Sequence, residues 1–431
     1  MIARTDDGSH LSRRRGIIAL WGVWAVTRGL YAAVLLKLMS IHLFPGSSYL
    51  LRVSVGDVKL YQHWGRMIAA GSFPTHDPQW QYPPLAAVVM LLPRLSGGDY
   101  LTTFVALMVL VDALILLLLL RGRRPLTGAW VWVAGTFLLG PFCYARYDIV
   151  VTLATVAALL ALPRMRRFGV LTAVGAMLKV WPVFFLLGLP RDRRGGRAVT
   201  AFAAAAGACL LAAAALGRGE LSFLTGQQDR GLQMESVAAT PFHVARMFGW
   251  RGVITRHRYG STELLGAGVP TTATVCLVLT IIALAIIAVI VWRRQAEDWD
   301  PVFACDVALA VTLAAIVTSR VLSPQYLIWL LGVGAVCLTH AASRQRPAIV
   351  LILVAALLSH AEFPLLWKSI EKAHVIGVMV LFTRNLLLVA AAVLAIARLR
   401  NRPAGLRPWA YSGVRGRAVQ PYGKIAAFLE R

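Results

Sequence analysis

The chain has 431 residues, 58% of them hydrophobic and only 15% charged. Apolar runs of about twenty residues recur from end to end, each long enough to cross a hydrocarbon core of ~30 Å. A soluble domain, a coiled coil and a short-period repeat are thereby excluded, and an all-α polytopic membrane protein is expected. The 44 Lys and Arg against 19 Asp and Glu, a net charge of +25, do not indicate nucleic acid. The basic residues lie in short clusters between apolar runs, which is how cytoplasmic loops are marked.

Arg13, Arg14 and Arg15 precede a first apolar run at 16–43. It is too long for a signal-peptide core and lacks a small-residue cleavage site, so it is expected to stay as a helix. A basic cytoplasmic N-terminus at 1–15 puts the polar stretch that follows, 44–98, on the outer face. Within it Leu60, Tyr61, Trp64, Met67 and Ile68 fall at helical spacing. The spacing predicts an amphipathic interfacial helix over 58–70, with Asp57 at its N-terminus and Gly71 as its stop. Tyr82-Pro83-Pro84 opens an apolar run that ends by Leu95, too short to span and therefore interfacial or re-entrant.

The first return is 99–120, closed by Arg121, Arg123 and Arg124. A span at 127–144 leads to an outer turn, Ala145-Arg146-Tyr147-Asp148, and the next span ends at Pro163 before Arg164, Arg166 and Arg167. Segment 168–189 has basic clusters at both ends and Lys179-Val180-Trp181-Pro182 in its middle, which predicts a broken, re-entrant segment lining a cavity. Span 198–216 leads to a second outer loop, 217–266, whose six arginines depart from the charge rule. Spans follow at 269–292, 302–318, 324–340, 349–364 and 375–397, then a basic cytoplasmic tail at 401–431 rich in Pro and Gly. About ten crossings, or twelve if 84–95 and 168–189 both cross, leave both termini inside around one membrane domain at 16–400.

Asp57 opens a helix, so capping alone accounts for it. At the mouth of a bundle it is equally a general base toward a hydroxyl. The prolines after Tyr82 start a helix and stiffen the loop near that Asp. Lys179, amid Met177, Leu178, Val180 and Trp181, is expensive in lipid and must face a cavity or the bundle interior, where phosphate is its natural counter-ion. Arg146 and Asp148 read as a local ion pair or as part of a site. Arg320 either snorkels or contacts phosphate. Gln233, Glu235-Ser236 and Arg384-Asn385 fit ordinary loop and bundle polarity as well as a site. His63 and His76 with Asp57 and Asp77 match no metal-ligand spacing, and the five scattered cysteines suggest neither zinc nor disulfides. No cofactor is expected, and a divalent metal is not indicated.

The ordered set Gly56-Asp57 with Tyr61, Gly71 and Pro74, Gln81-Tyr82-Pro83-Pro84-Leu85, Arg146-Tyr147-Asp148, Lys179-Val180-Trp181-Pro182, Gln233-x-Glu235-Ser236, Ser323-Pro324-Gln325-Tyr326 and Arg384-Asn385 resembles one known group. This is the bacterial GT87 branch of the GT-C membrane glycosyltransferases, which includes mannosyltransferases of phosphatidylinositol mannoside synthesis. The resemblance covers 16–397. It implies a bundle of about 10–12 transmembrane helices with juxtamembrane helices in the first outer loop. It also implies an inverting transfer of a sugar from a polyprenyl-phosphate donor to a lipid or glycan acceptor at the outer face of the bacterial plasma membrane. Mannose comes first and arabinofuranose second.

Under this resemblance Asp57 deprotonates the acceptor, and Lys179, Arg146 and Arg320 lie toward the donor phosphate, which needs no metal if cations neutralise it. Tyr61, His63, Tyr82, Asp148, Gln233, Glu235, Gln325 and Tyr326 surround the substrates, with membrane lipids around the bundle. Some members carry a His pair after the late Ser-Pro, where this chain has Gln325-Tyr326-Leu327-Ile328-Trp329, so the subfamily stays open. The rival is a transporter or flippase of lipid-linked sugars, which predicts paired halves; no internal repeat is visible. Asp57 itself argues against a non-catalytic partner.

Overall fold

Apolar runs fold as helices because backbone polar groups in hydrocarbon must find partners within their own segment. The computed structural model describes residues 6–36, 54–74, 77–122, 124–216, 230–256, 259–294 and 299–400. The first half of the chain forms α1 (Asp6–Leu35), α2 (Gly56–Ala69), α3 (Leu85–Leu91), α4 (Tyr100–Leu120), α5 (Thr127–Leu139), α6 (Asp148–Leu160), α7 (Met165–Leu178) and α8 (Arg193–Leu216). Then come β1 (Leu232–Gln233), α9 (Thr240–Met247), β2 (Val253–Arg256) and β3 (Thr262–Leu265). The rest is α10 (Val269–Trp292), α11 (Pro301–Val317), α12 (Leu327–Cys337), α13 (Arg346–His360), α14 (Trp367–Glu371) and α15 (Val375–Arg400).

Among the described residues six helices are long and apolar enough to cross a membrane: α1, α4, α8, α10, α13 with its extension to Leu365, and α15. The chain is a multi-pass, all-α membrane protein. Helices α5, α6, α11 and α12 are shorter; the 13 residues of α5 cover ~20 Å. A 3-10 turn at Pro324–Tyr326 lengthens α12, while Gly140 (φ 101°) ends α5 before a separate 3-10 turn at Pro141–Ala145.

Contacts at the helix ends gather the basic clusters at one end of the bundle. Arg13 donates to the carbonyls of Gly122 (2.7 Å) and Arg124 (2.5 Å). Arg191 donates to Trp292 O (3.3 Å), Trp299 Nε1 to Gly188 O (2.8 Å), and Arg294 to Leu399 O (3.5 Å). The segment Met165–Gly188 begins and ends there. Helix α7 rises over 14 residues, about 21 Å, and stops at Lys179, whose backbone is extended (φ −160°, ψ 127°). Pro182 then lacks the N–H an α-helix would need, and Trp181–Gly188 returns as a 3-10 segment. The broken segment expected from the sequence is therefore what forms. Its apex, Lys179, points to the opposite end, where α2, α3 and the 230–266 region lie.

Close helix packing needs small residues. A Cβ on Gly169 of α7 would collide with Ala198 O of α8, and one on Gly128 of α5 would collide with Ala335 O of α12. Charges within the bundle are paired. Arg28 of α1 meets Asp112 of α4 at 2.6 Å, and Arg384 of α15 meets Glu362 at 2.6 Å, all four side chains within 1% of full burial.

Two features were not expected from the sequence. The region between α8 and α10 carries a three-stranded antiparallel sheet, ordered β1-β3-β2, that pairs Leu232 and Ile254 with Leu264. The stretch after Pro364 holds the short helix α14 rather than a plain turn.

Candidate active site

Helix α2 buries Val58, Tyr61, Trp64 and Gly65. It sits tightly on α3, since a Cβ on Gly65 would come within 2.7 Å of Met90 O. His63 faces the other way and is exposed, so the structure does not bring it to the other residues. The capping role for Asp57 is not realised. The helix starts two residues before the expected Val58, at Gly56, its N-cap is Val55, and no side chain caps it.

The Asp57 carboxylate instead lies 2.7 Å from Arg146 Nε, an ion pair whose N–H direction falls outside hydrogen-bond geometry. Arg146 occupies the extended residue between the 141–145 turn and α6, and its Nη1 donates to Ser54 O (2.9 Å) and Ala145 O (3.0 Å). Asp148, first residue of α6, pairs with Lys179 Nζ at 2.7 Å. The Lys179 ammonium also faces the rings of Tyr326 (4.4 Å), Trp329 (4.7 Å) and Tyr147 (5.7 Å). Two carboxylates and two cations, summing to zero charge, thus line one cleft.

An aromatic wall joins the two pairs. The Tyr147 ring lies 5.7 Å from Tyr61 and 5.3 Å from Tyr82, and Trp64 lies 5.2 Å from Trp80 and 5.7 Å from Tyr82. Trp64 Nε1 donates to Asp77 Oδ2 (2.7 Å), which pins the loop below the prolines. Burial holds the phenols of Tyr61, Tyr82 and Tyr147 above their ordinary range; for Tyr82 the carboxylates of Asp57 and Asp148 come next. They remain neutral hydroxyls at physiological pH.

Accessibility separates the roles. Asp57 is 31% exposed but Asp148 only 2%, while Lys179 is 17% exposed and Arg146 7%. Of the four, Asp57 is the more accessible acid and Lys179 the more accessible cation.

Trp181 and Trp329 also belong to the site, although sequence reasoning gave them no role. Trp329 stacks between Tyr326 (4.1 Å) and Trp181 (4.9 Å). Both indole N–H groups are buried without a partner among the described residues. Buried donors are nearly always satisfied, and a substrate oxygen beside Lys179 would satisfy these. The aromatics themselves stand in the motifs; that their N–H groups are left over is visible only once the chain is folded.

Other expected residues fall elsewhere. Arg320 stands with Arg230, donating to its carbonyl at 3.3 Å, rather than with Lys179 and Arg146. Arg230 pairs with Glu263 (2.7 Å) and donates to Gln81 Oε1 (2.7 Å). Gln233 is buried, with its N–H on Arg320 O (3.0 Å) and its amide on Ser323 Oγ (2.5 Å), so it braces the late motif. Glu235 lies deeper, and its carbonyl accepts from Arg384 Nη2 at 3.1 Å. Burial, and then the charge of Glu362, pushes the Glu235 carboxyl up to about 8. Asn385 holds the same stretch, donating to Ser236 O (3.3 Å) and to Thr240 Oγ1 at the start of α9 (2.7 Å). Gln325 is half-buried next to Tyr326.

Of the four metal-ligand candidates weighed on the sequence, Asp57 and Asp77 are engaged as above, His63 is exposed and His76 lies outside the described residues. Among the described residues no three His, Cys, Asp or Glu side chains gather in a metal-holding group.

The model of glycosyltransferase family 87 matches residues 80–324, more than half of the chain. That span holds Tyr82, Arg146, Asp148, Lys179, Gln233, Glu235 and Arg320. Neither the curated proteins nor the solved structures gave a match.

Proposed function

The chain belongs to glycosyltransferase family 87, and we propose that it moves a sugar from a polyprenyl-phosphate donor to a hydroxyl of a lipid or glycan acceptor, with inversion. Mannose is the first sugar and arabinofuranose the second. The reaction takes place at the outer face of the bacterial plasma membrane. In support, the cleft lies at the end of the bundle opposite the basic clusters, which the positive-inside rule assigns to the cytoplasm together with both termini. Residues 16–400 form the single transferase domain.

The observation that carries this reading is Asp57, among the described residues of the cleft the carboxylate that is both accessible and held in place. Its carboxylate takes the proton as the acceptor oxygen attacks the anomeric carbon. The bond from that carbon to the phosphate oxygen breaks on the opposite face, and polyprenyl phosphate leaves. Arg146, fixed on two backbone carbonyls, positions the carboxylate. Lys179 has three N–H donors and places one on Asp148. It can therefore meet the leaving phosphate while the Trp181 and Trp329 N–H groups contact phosphate or sugar oxygens. Tyr61, Tyr82 and Tyr326 wall the sugar.

The test compares wild type with Asp57→Asn on synthetic polyprenyl-phosphate mannose and arabinofuranose plus membrane-lipid extract, reading sugar transfer by mass spectrometry. Asn keeps the size but takes no proton. Transfer by wild type and its loss in a folded variant is the expected result, and the productive donor names the sugar. Equal activity of the two proteins would place the base elsewhere.

A further inference from the structure

A second cluster of charge lies outside the cleft. A cavity of about 630 Å³ is bounded by Arg230 and Gly231, the first turns of α10 and the residues that follow α11, Thr318 to Val321. Two guanidiniums reach it. Arg230 is 8% exposed and paired with Glu263, and Arg320 lies beside it, so both stand against the Glu263 carboxylate at one end of the cavity. Burial lowers the affinity of Arg320 for its proton, and the nearby Arg230 charge lowers it further. An anion placed between them relieves that repulsion. The N-terminus of α10, a 24-residue helix, opens into the same space through Val269 and Pro270 and adds its positive dipole end.

The remainder of the cavity is shaped for a lipid. Its lining on α10 runs from Val269 to Thr280, about 16 Å along the helix. Ala273 and Leu277 line it, and a contact of 2.7 Å between the Thr280 and Thr318 hydroxyls lies at the deep end. Leu277 is 62% exposed at the cavity's edge, and beyond it the face of α10 stays apolar and exposed, with Ile281 at 59%. A cationic top over a slot of mixed lining, Ala273, Cys276 and Leu277 with the hydroxyls of Thr274, Thr280 and Thr318, that meets the lipid-facing side of a spanning helix suits a phosphodiester with its glycerol and acyl chains. None of the cleft residues lines this cavity. The Arg230–Gln81 hydrogen bond stands between the two.

We propose that this cavity binds the phosphate of an anionic bilayer phospholipid, a second lipid distinct from the sugar donor, and that Arg230, Arg320 and the α10 N-terminus hold it. Gln81 connects it to the cleft through the adjoining Tyr82, so occupancy of one site is felt at the wall of the other. The proposal needs only a membrane-embedded chain and is independent of which sugar is transferred.

The test uses the full-length protein, purified in detergent, with native mass spectrometry against phosphatidylglycerol and phosphatidylcholine. One phosphatidylglycerol retained per chain is expected. Affinity should be about tenfold weaker in Arg320→Gln, the effect of losing one charge-assisted contact. It should be weaker again in Ala273→Trp, which fills the slot and leaves both arginines in place. Thermal unfolding checks that each variant is folded. Equal retention of phosphatidylcholine, unchanged binding in both folded variants, or displacement by millimolar inorganic phosphate would each overturn the proposal. Stoichiometric displacement by a polyprenyl-phosphate sugar would assign the cavity to the donor and also overturn it.

Discussion

Replacing Asp112 by Asn tests how the bundle tolerates charge. Asp112 Oδ2 accepts from Arg28 Nε (2.6 Å), Tyr144 Oη (2.6 Å) and Trp24 Nε1 (3.1 Å), and Oδ1 accepts from Trp132 Nε1. The carboxylate thereby ties α1, α4, α5 and the 141–145 turn. Asn preserves its shape and one acceptor oxygen but leaves the Arg28 cation, 1% exposed, without a counter-charge. Breaking a buried pair in this way costs about 3–5 kcal/mol. In the double variant Arg28→Met with Asp112→Asn the orphaned charge is gone. The double variant should therefore lie within about 2 kcal/mol of wild type; since Arg28→Met alone also breaks the pair at about 3–5 kcal/mol, the coupling in the cycle is at least about 4 kcal/mol in magnitude. Equilibrium unfolding in mixed detergent–SDS micelles measures all four proteins. Additive losses, or an Asp112→Asn cost below about 1 kcal/mol, would refute the view that the pair is ionised and mutually dependent.

Glu235→Gln should stabilise the protein at pH 7.5 and not at pH 4. The wild-type carboxyl is raised to about 8 when folded, so the penalty for burying it is absent below the unfolded value and grows as pH rises toward 8. A gain on the order of 1–3 kcal/mol at pH 7.5 is expected, and pH-resolved melting curves check it. Lys179→Gln keeps the contact with Asp148 but removes the charge facing the leaving phosphate, so kcat should fall by about 10²–10³; a loss under threefold in the transfer assay contradicts the phosphate role. Gly169→Ala should cost about 1–3 kcal/mol because the new methyl meets Ala198 O. Gly207→Ala, with open space around its Cβ, should be neutral or gain up to about 1 kcal/mol by helix propensity.

The helices were legible in the sequence wherever apolar runs were long: the observed α4 and α10 begin and end within a residue of the stretches read as spans. The break at Lys179 was legible too. A lysine in an apolar run needs a polar surrounding and a proline three residues on removes a helix hydrogen bond, so the two together interrupt a spanning helix. Arg28 and Asp112 were not singled out, because a lone charge inside a run gives no hint of its partner 84 residues away. The small sheet escaped for a related reason. Its two-residue β1 is made by pairing with β3 and carries no alternation of its own. In the cleft, motif order suggested Asp57, Arg146, Asp148 and Lys179, yet which acid pairs with which cation is decided by the turn after Ala145. Arg320 was grouped with Lys179 from its place at the outer end of a span before the late motif and from the family resemblance, and only the fold shows it standing with Arg230.

The crossed pairing in the cleft has a consequence for the proposed reaction. With a singly charged donor bound, the neutral set of Asp57, Arg146, Asp148 and Lys179 becomes a site of one net negative charge. When the acceptor oxygen attacks, its proton goes to Asp57 and the leaving phosphate gains a charge, so the total does not change. What changes is position: one negative charge moves from beside Arg146 to beside Lys179. Net charge is never created in a low-dielectric cleft, where it would be most costly. The two cations stand at the two ends of that displacement, each already in place before the substrate arrives. Arg146 sits where the charge begins and is anchored to carbonyls; Lys179 sits where it ends and keeps spare donors. This difference in attachment accounts for an arginine at one end of the cleft and a lysine at the other.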